Sequence, residues 1–258
     1  MDFPRASSEG AKKGKVFWKM TVTLNYDPEK TKELRAKGAD LAKLQSASEQ
    51  AITEAMREGD LDNAKSVLKH ASLAVKEYED FRKDFTPKEI LLAKYGVEVI
   101  NDHTVLFVIP KGVSRIEILE EVQGLIRHPN GGPFIYPAHL AKWKQNEGFT
   151  SQQSTSKRLC IDGHVRGGDA KTRDEQEAFL GEEFTMASFE DLAVAFCLHW
   201  VATGESLFGW RNRQKDRSYM IRAVGGSLGF DGDGLWACSV YDDGGGGTVG
   251  VSACVSPE

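Results

Sequence analysis

The stretch ASFEDLAVAFCLHWVATGES, residues 187–206, decides how the rest of the chain is read. Ser188 is a good N-cap, with an acidic residue, Asp191, three positions on, and Gly204 is a natural stop. Between them Leu192, Ala195, Phe196 and His199 or Trp200 fall on adjacent faces at helical spacing. Beyond this helix lie only short β-type runs: Tyr219–Val224, Ser227–Phe230, Leu235–Val240 and Thr248–Val255. Glycine and aspartate separate them, which is turn chemistry rather than helix chemistry.

Working back from Ser188, the pattern weakens from Gly132 to Thr185 into a long polar connection with scattered aromatics. Ser114 starts another helix, and Glu117 completes a capping box. Ile116, Leu119, Val122 and Ile126 form its apolar side, and His128-Pro129-Asn130-Gly131-Gly132 stops it. Val97–Ile100 and Thr104–Ile109 read as strands about an Asn101-Asp102-His103 turn. The order of strands, helix, connection, helix and short strands implies an α+β domain over residues 96–258 with a mostly antiparallel sheet and two helices.

An α-helical hairpin precedes it, in a segment spanning 20–95. MTVTLNY, residues 20–26, alternates like one short strand, and Asp27-Pro28 then opens a helix to about Arg57. Leu34, Leu41, Leu44, Ile52 and Met56 favour one side of it. After Glu58-Gly59-Asp60 a second helix carries Leu61, Ala64, Leu68, Ala71, Val75, Tyr78 and Phe81 in steps of mostly three and four. This spacing predicts a buried seam through Leu61, Leu68, Val75 and Tyr78. A lone hairpin is marginal, so it should pack on the other domain or on a second copy, making a homo-oligomer. Residues 1–19 read as a disordered leader.

The chain has 258 residues, 40% of them hydrophobic and 28% charged, with a net charge of −5. The acidic balance argues against a general nucleic-acid binder. No run approaches a membrane span and no signal-like apolar core stands at the N-terminus, which makes the cytoplasm the default expectation. The cysteines at 160, 197, 238 and 254 have no framework spacing.

Several chemistries fail on spacing. In Asp231-Gly-Asp-Gly, taking Gly234 as the sixth position of a calcium loop makes Gly229 first and Val240 twelfth, while Asp231 as first puts Trp236 sixth. The run Gly244–Gly247 is followed by a strand rather than a helix, and no lysine lies beyond Lys215, so no phosphate loop is read. Cys160-x3-His164 with Cys197-x-His199 lacks zinc spacing. Arg211, Arg213, Lys215 and Arg217 form a basic cluster that reads as a solvated loop. The expectation is no catalytic residue, no metal and no cofactor.

The segments FTMASFEDLAVAFCLHWVATGESLF, MIRAVGGSLGF, DGDGLWACSVYDD and VGVSA together resemble the C-terminal half of variable proteins from diversity-generating retroelements. That resemblance implies a C-type lectin-like fold whose last strands and loops, here about 221–255, are rewritten by an error-prone reverse transcriptase at template adenines. An Asn codon randomised at its adenines reaches Gly, Asp, Ser, Cys, Tyr, Ala, Val and Thr. Gly229, Gly232, Cys238, Ser239, Tyr241, Gly244, Gly245, Gly246, Gly247, Gly250 and, outside the expected surface, Cys254 fit that set; Trp236 does not and would come from scaffold or another codon. These eleven positions form the expected ligand-binding surface, with Phe230, Leu235 and Val249 pointing inward. The implied function is non-catalytic recognition of an unknown protein or surface ligand. The alternatives are an enzyme on a related scaffold of the formylglycine-generating type, or a structural protein assembling through the hairpin.

Overall fold

The computed structural model describes residues 22–129, 131–163, 173–180, 184–208, 219–223, 226–231, 234–238, 249–251 and 253–255. The elements in chain order are α1 (Pro28–Glu58), α2 (Leu61–Arg82), α3 (Pro87–Lys94), β1 (Glu98–Asn101), β2 (Thr104–Ile109), α4 (Arg115–Leu125), α5 (Pro137–Trp143), α6 (Glu147–Thr150) and β3 (Lys157–Asp162). There follow α7 (Arg173–Leu180), β4 (Thr185–Met186), α8 (Phe189–Thr203), β5 (Tyr219–Ala223), β6 (Gly226–Asp231), β7 (Gly234–Cys238), β8 (Val249–Val251) and β9 (Ala253–Val255). The fold class is α+β.

Two sheets share these strands. One runs β1-β2-β3-β9-β4, antiparallel throughout; the other runs β7-β6-β5-β8, with β5 and β8 parallel. Most of the large buried apolar residues gather in one core around α8. Fourteen of its fifteen residues are buried, so this helix is apolar on every side rather than along one stripe. It touches β2 and β3 of the first sheet, β5 and β6 of the second, and also α3 and α4. Ser188 Oγ accepts from the Asp191 N–H at 3.1 Å, and Gly204 ends the helix at φ 74°. Inside α8, the Asp191 carboxylate is met by Arg115 Nε at 2.7 Å and by Lys157 Nζ at 3.0 Å, which ties α4 and β3 to its first turn. Those two cations outweigh desolvation and hold its carboxyl below the usual carboxylate range.

The stretch from Gly132 to Thr185 is not the long polar connection expected. Its described part contributes α5, α6, β3 and α7, and Trp143 stacks on Phe149 with centroids 4.9 Å apart in the core. Its apolar residues follow no single period because each short element contributes one or two of them. The expected strand at 20–26 is absent where described: Val22–Leu24 pair with no strand. The Asn25 N–H instead donates to Ala202 O, at the end of α8. The short helix α3 between the hairpin and β1 was not expected, although Thr86 and Glu89 form a capping box for it.

The hairpin α1–α2 forms as expected, but its seam differs. Asp27 caps α1, Asp60 caps α2, and Gly59 at φ 78° turns the chain between them. Along the hairpin the less exposed positions include Gly38, Leu41, Ser48 and Ala55 on α1 and Ala64, Val67, Ala71, Ala74, Val75 and Tyr78 on α2, while Thr31 lies beside Leu92 and Ala93 of α3. Small residues let the axes approach closely; a Cβ on Gly38 would sit 3.0 Å from the Tyr78 hydroxyl. Leu61 and Leu68, expected on the buried seam, are 55% and 57% exposed, and Met56 is 57% exposed. Small residues therefore hold most of the contact, with Leu61 and Leu68 at its flank.

Candidate functional site

The second sheet carries the expected binding positions, and its register sorts them by face. Across β5, β6 and β7 the aligned rows are Tyr219–Phe230–Leu235, Met220–Gly229–Trp236, Ile221–Leu228–Ala237 and Arg222–Ser227–Cys238. Leu228 and Leu235 are fully buried and belong to the core. Pleating puts successive residues on opposite faces, so Gly229, Trp236 and Cys238 hold the positions opposite those two leucines. Met220, Arg222 and Ser227 share that set of positions.

The phase of β8 is the reverse of the expected one. Its parallel pairing sets Val249 beside Met220, Gly250 beside Ile221 and Val251 beside Arg222. Gly250 thus takes a position on the Leu228 side, and Val249 one beside the Gly229 row. The expected alternation assumed an unbroken phase from β7 to β8, whereas pairing with β5, a neighbour distant in sequence, fixes it. Gly232, Ser239, Tyr241, Gly244, Gly245, Gly246 and Gly247 lie outside the described residues, as does the basic cluster of Arg211, Arg213, Lys215 and Arg217.

A further strand-like contact extends this sheet past β7. Ile135 bridges Leu235 in parallel; the Leu235 N–H donates to Phe134 O at 2.8 Å and the Tyr136 N–H to Leu235 O at 3.0 Å. Tyr136 is 43% exposed, and its ring lies 5.5 Å from that of His139 on α5. In the sequence Tyr136 is one of the aromatics scattered between Gly132 and Thr185, with no period to place it. Its neighbour Pro137, a helix-starting residue after an apolar pair, was the available signal.

A polar cluster also escaped the sequence reading. At the β1–β2 turn, His103 Nδ1 lies 2.5 Å from Asp102 Oδ1, and its Nε2 is 4.0 Å from Asp162 Oδ2 at the end of β3. Behind them His199 of α8 is fully buried, its Nδ1 3.1 Å from Glu205 O and its Nε2 without a hydrogen-bond partner. Burial pushes its pKa down to about 4, against the pull of the Glu205 and Asn101 carbonyls and of Asp102. The ring is therefore neutral at pH 7, with Nδ1 as the donor to Glu205 O. It is sealed from solvent, and the Thr203 hydroxyl 3.4 Å from its Nδ1 is itself buried and donates to the His199 carbonyl oxygen, so the ring packs as an element of the fold.

Burial raises the thiol pKa of Cys197, Cys160 and Cys254, which leaves all three protonated and poor as nucleophiles or ligands. Among the described residues no group of three or more His, Cys, Asp or Glu side chains is arranged to hold a metal ion, and no helix is long and apolar enough to cross a membrane. No protein-family model, no curated protein and no solved structure matches the chain.

Proposed function

We propose that this is a non-catalytic recognition protein, a variable protein of a diversity-generating retroelement, whose C-type lectin-like domain presents a rewritten C-terminal surface. The register of β6 and β7 carries the reading: Gly229, Trp236 and Cys238 alternate with core positions marked by Leu228 and Leu235. A strand built this way can change one set of side chains while the other set holds the sheet. The strands flanking Ser239–Thr248 support it too, since β7 and β8 stand at opposite edges of one four-stranded sheet. A stretch fixed at both ends by backbone pairing can vary without cost to the core. Tyr136, exposed beside β7, adds an aromatic contact outside the rewritten segment, and aromatic residues supply much of the energy at interfaces.

The test is genetic and direct. The DNA around the gene should encode a reverse transcriptase and hold a near-copy of the codons for residues 221–255, with mismatches confined to adenines of that copy. Copies of the gene from one population should then differ at Gly229, Gly232, Cys238, Ser239, Tyr241 and Gly244 to Gly247, and agree at Leu228 and Leu235, with Gly250, on the Leu228 side, held small. Substitutions spread evenly over core and variable positions, with no such repeat, would overturn the reading.

A further inference from the structure

The leucines missing from the hairpin seam form a pattern of their own. Leu61, Leu68 and Val75 stand seven residues apart on α2, a straight stripe along the flank of the hairpin. Leu61 and Leu68 are more than half exposed, Val75 is half-buried, and Met56 of α1 adds a fourth apolar side chain at the hairpin tip. Lys65, Ser72 and Glu79 run alongside in a second row of the same spacing, all three exposed. In an antiparallel helix pair, residues of that flanking row meet their own row on the partner. The row is self-complementary when inverted: turned about Ser72, Lys65 falls against Glu79 and Glu79 against Lys65. In the same register Leu68 comes level with Lys76 of the second copy, one residue from Val75, so the two apolar side chains lie side by side. Ser72, at the pivot, is small, and its hydroxyl is already satisfied by donating to Leu68 O at 2.8 Å, so two backbones can approach there.

From this geometry we infer that a second copy of the chain covers the stripe, with α2 packing antiparallel on the α2 of its partner about a dyad at Ser72. The inference is independent of the ligand-binding reading. It also accounts for the placement of the large residues: alanines close the intramolecular seam, and leucines are left for the intermolecular one. The contact involves one helix face per copy, so the dimer should form over the micromolar range rather than below it.

Sedimentation velocity on the full chain, across a micromolar concentration series, provides the first readout. The expected result is a reversible dimer that Leu68→Glu abolishes while far-UV circular dichroism and melting temperature of the monomer stay unchanged. Lys65→Glu alone should weaken the dimer at least tenfold, Glu79→Lys alone should do the same, and the double swap should restore it. Ser72→Cys should give an intermolecular disulfide on mild oxidation that the parent chain does not form. A chain monomeric at every concentration overturns the inference. So does a dimer indifferent to Leu68→Glu, a double swap without rescue, or a monomer that dimerises only when residues 1–21 are removed, which would make that segment the occupant.

Discussion

Helices α8 and α2 are both capped by a side chain at the start, yet they treat their apolar residues in opposite ways. In α8, Leu192, Phe196, Leu198 and Trp200 are all buried, between two sheets and two other helices. In α2 the only buried residue is Ala64, and the leucines face outward. Periodicity alone does not separate the cases, because both sequences repeat apolar residues at helical spacing. The size of the inward residue does. A helix that packs against both sheets and two other helices needs large side chains all round to fill the space between them. A helix lying against one partner through Gly38, Ala55, Ala64 and Ala71 has no room for them.

The largest expected effect lies on the α8 side. Phe196 is fully buried, with ring centroids 4.7 Å from Phe208 and 6.0 Å from Phe134. Phe196→Ala should cost about 3–5 kcal/mol, seen as a drop in the midpoint of urea unfolding. An unchanged midpoint would mean that α8 is not the centre of the core.

The next effect is pH dependence, also from α8. His199 has its folded pKa lowered to about 4, below the ordinary 6.5. Between those values the unfolded chain binds the proton and the folded chain does not, so stability rises with pH across that window. It is fully present above about pH 6.5 and lost progressively as pH falls toward 4, by up to about 3 kcal/mol. Unfolding curves for the parent and for His199→Gln should converge at low pH, the variant being the flatter. A parent curve as flat as the variant's would place the titrating imidazole in solvent.

How much of this was legible follows the locality of each signal. Caps are local, and Asp27-Pro28, Ser114 with Glu117, and Ser188 with Gly204 marked their helices correctly. The identity of a strand's neighbour is not local. Nothing in KRLCID announces that β3 sits between β2 and β9, and nothing in Thr248–Val255 announces that the chain leaves one sheet after Val251 and enters the other at Ala253. The same limit divides the candidate site. The alternation of β6 and β7 could be read from Phe230 and Leu235, because Asp231 pairs directly with Gly234 and the phase carries over. The phase of β8 could not, since its partner β5 lies far upstream. His103 and His199 are brought near enough by the fold for their charges to interact, and neither carries a mark in the sequence beyond the acidic neighbour Asp102.

A third expected effect comes from the small-residue seam of α2 itself. Ala64 is buried against α1 beside Ala55. Ala64→Leu forces a larger side chain into the contact and should cost about 1–3 kcal/mol by overpacking. Tolerance of leucine there would show that the helices are further apart than Gly38 and Tyr78 indicate.

The smallest effect sharpens the comparison most, because the spacing of α2 alone argues the other way. Read as a seam residue, Leu68 should lose about 2–5 kcal/mol on truncation to alanine. In the structure it is 57% exposed and its removal leaves no cavity, so Leu68→Ala should change monomer stability by less than about 0.5 kcal/mol. Alanine is also the better helix former, which offsets part of even that. The measurement belongs at concentrations too low for self-association, because a dimer through this face would add its own dependence on Leu68. Ala64→Leu and Leu68→Ala then form a pair in which enlarging the small residue does more harm than removing the large one. Finding the opposite order would restore the leucine stripe to the interior and make α2 resemble α8 after all.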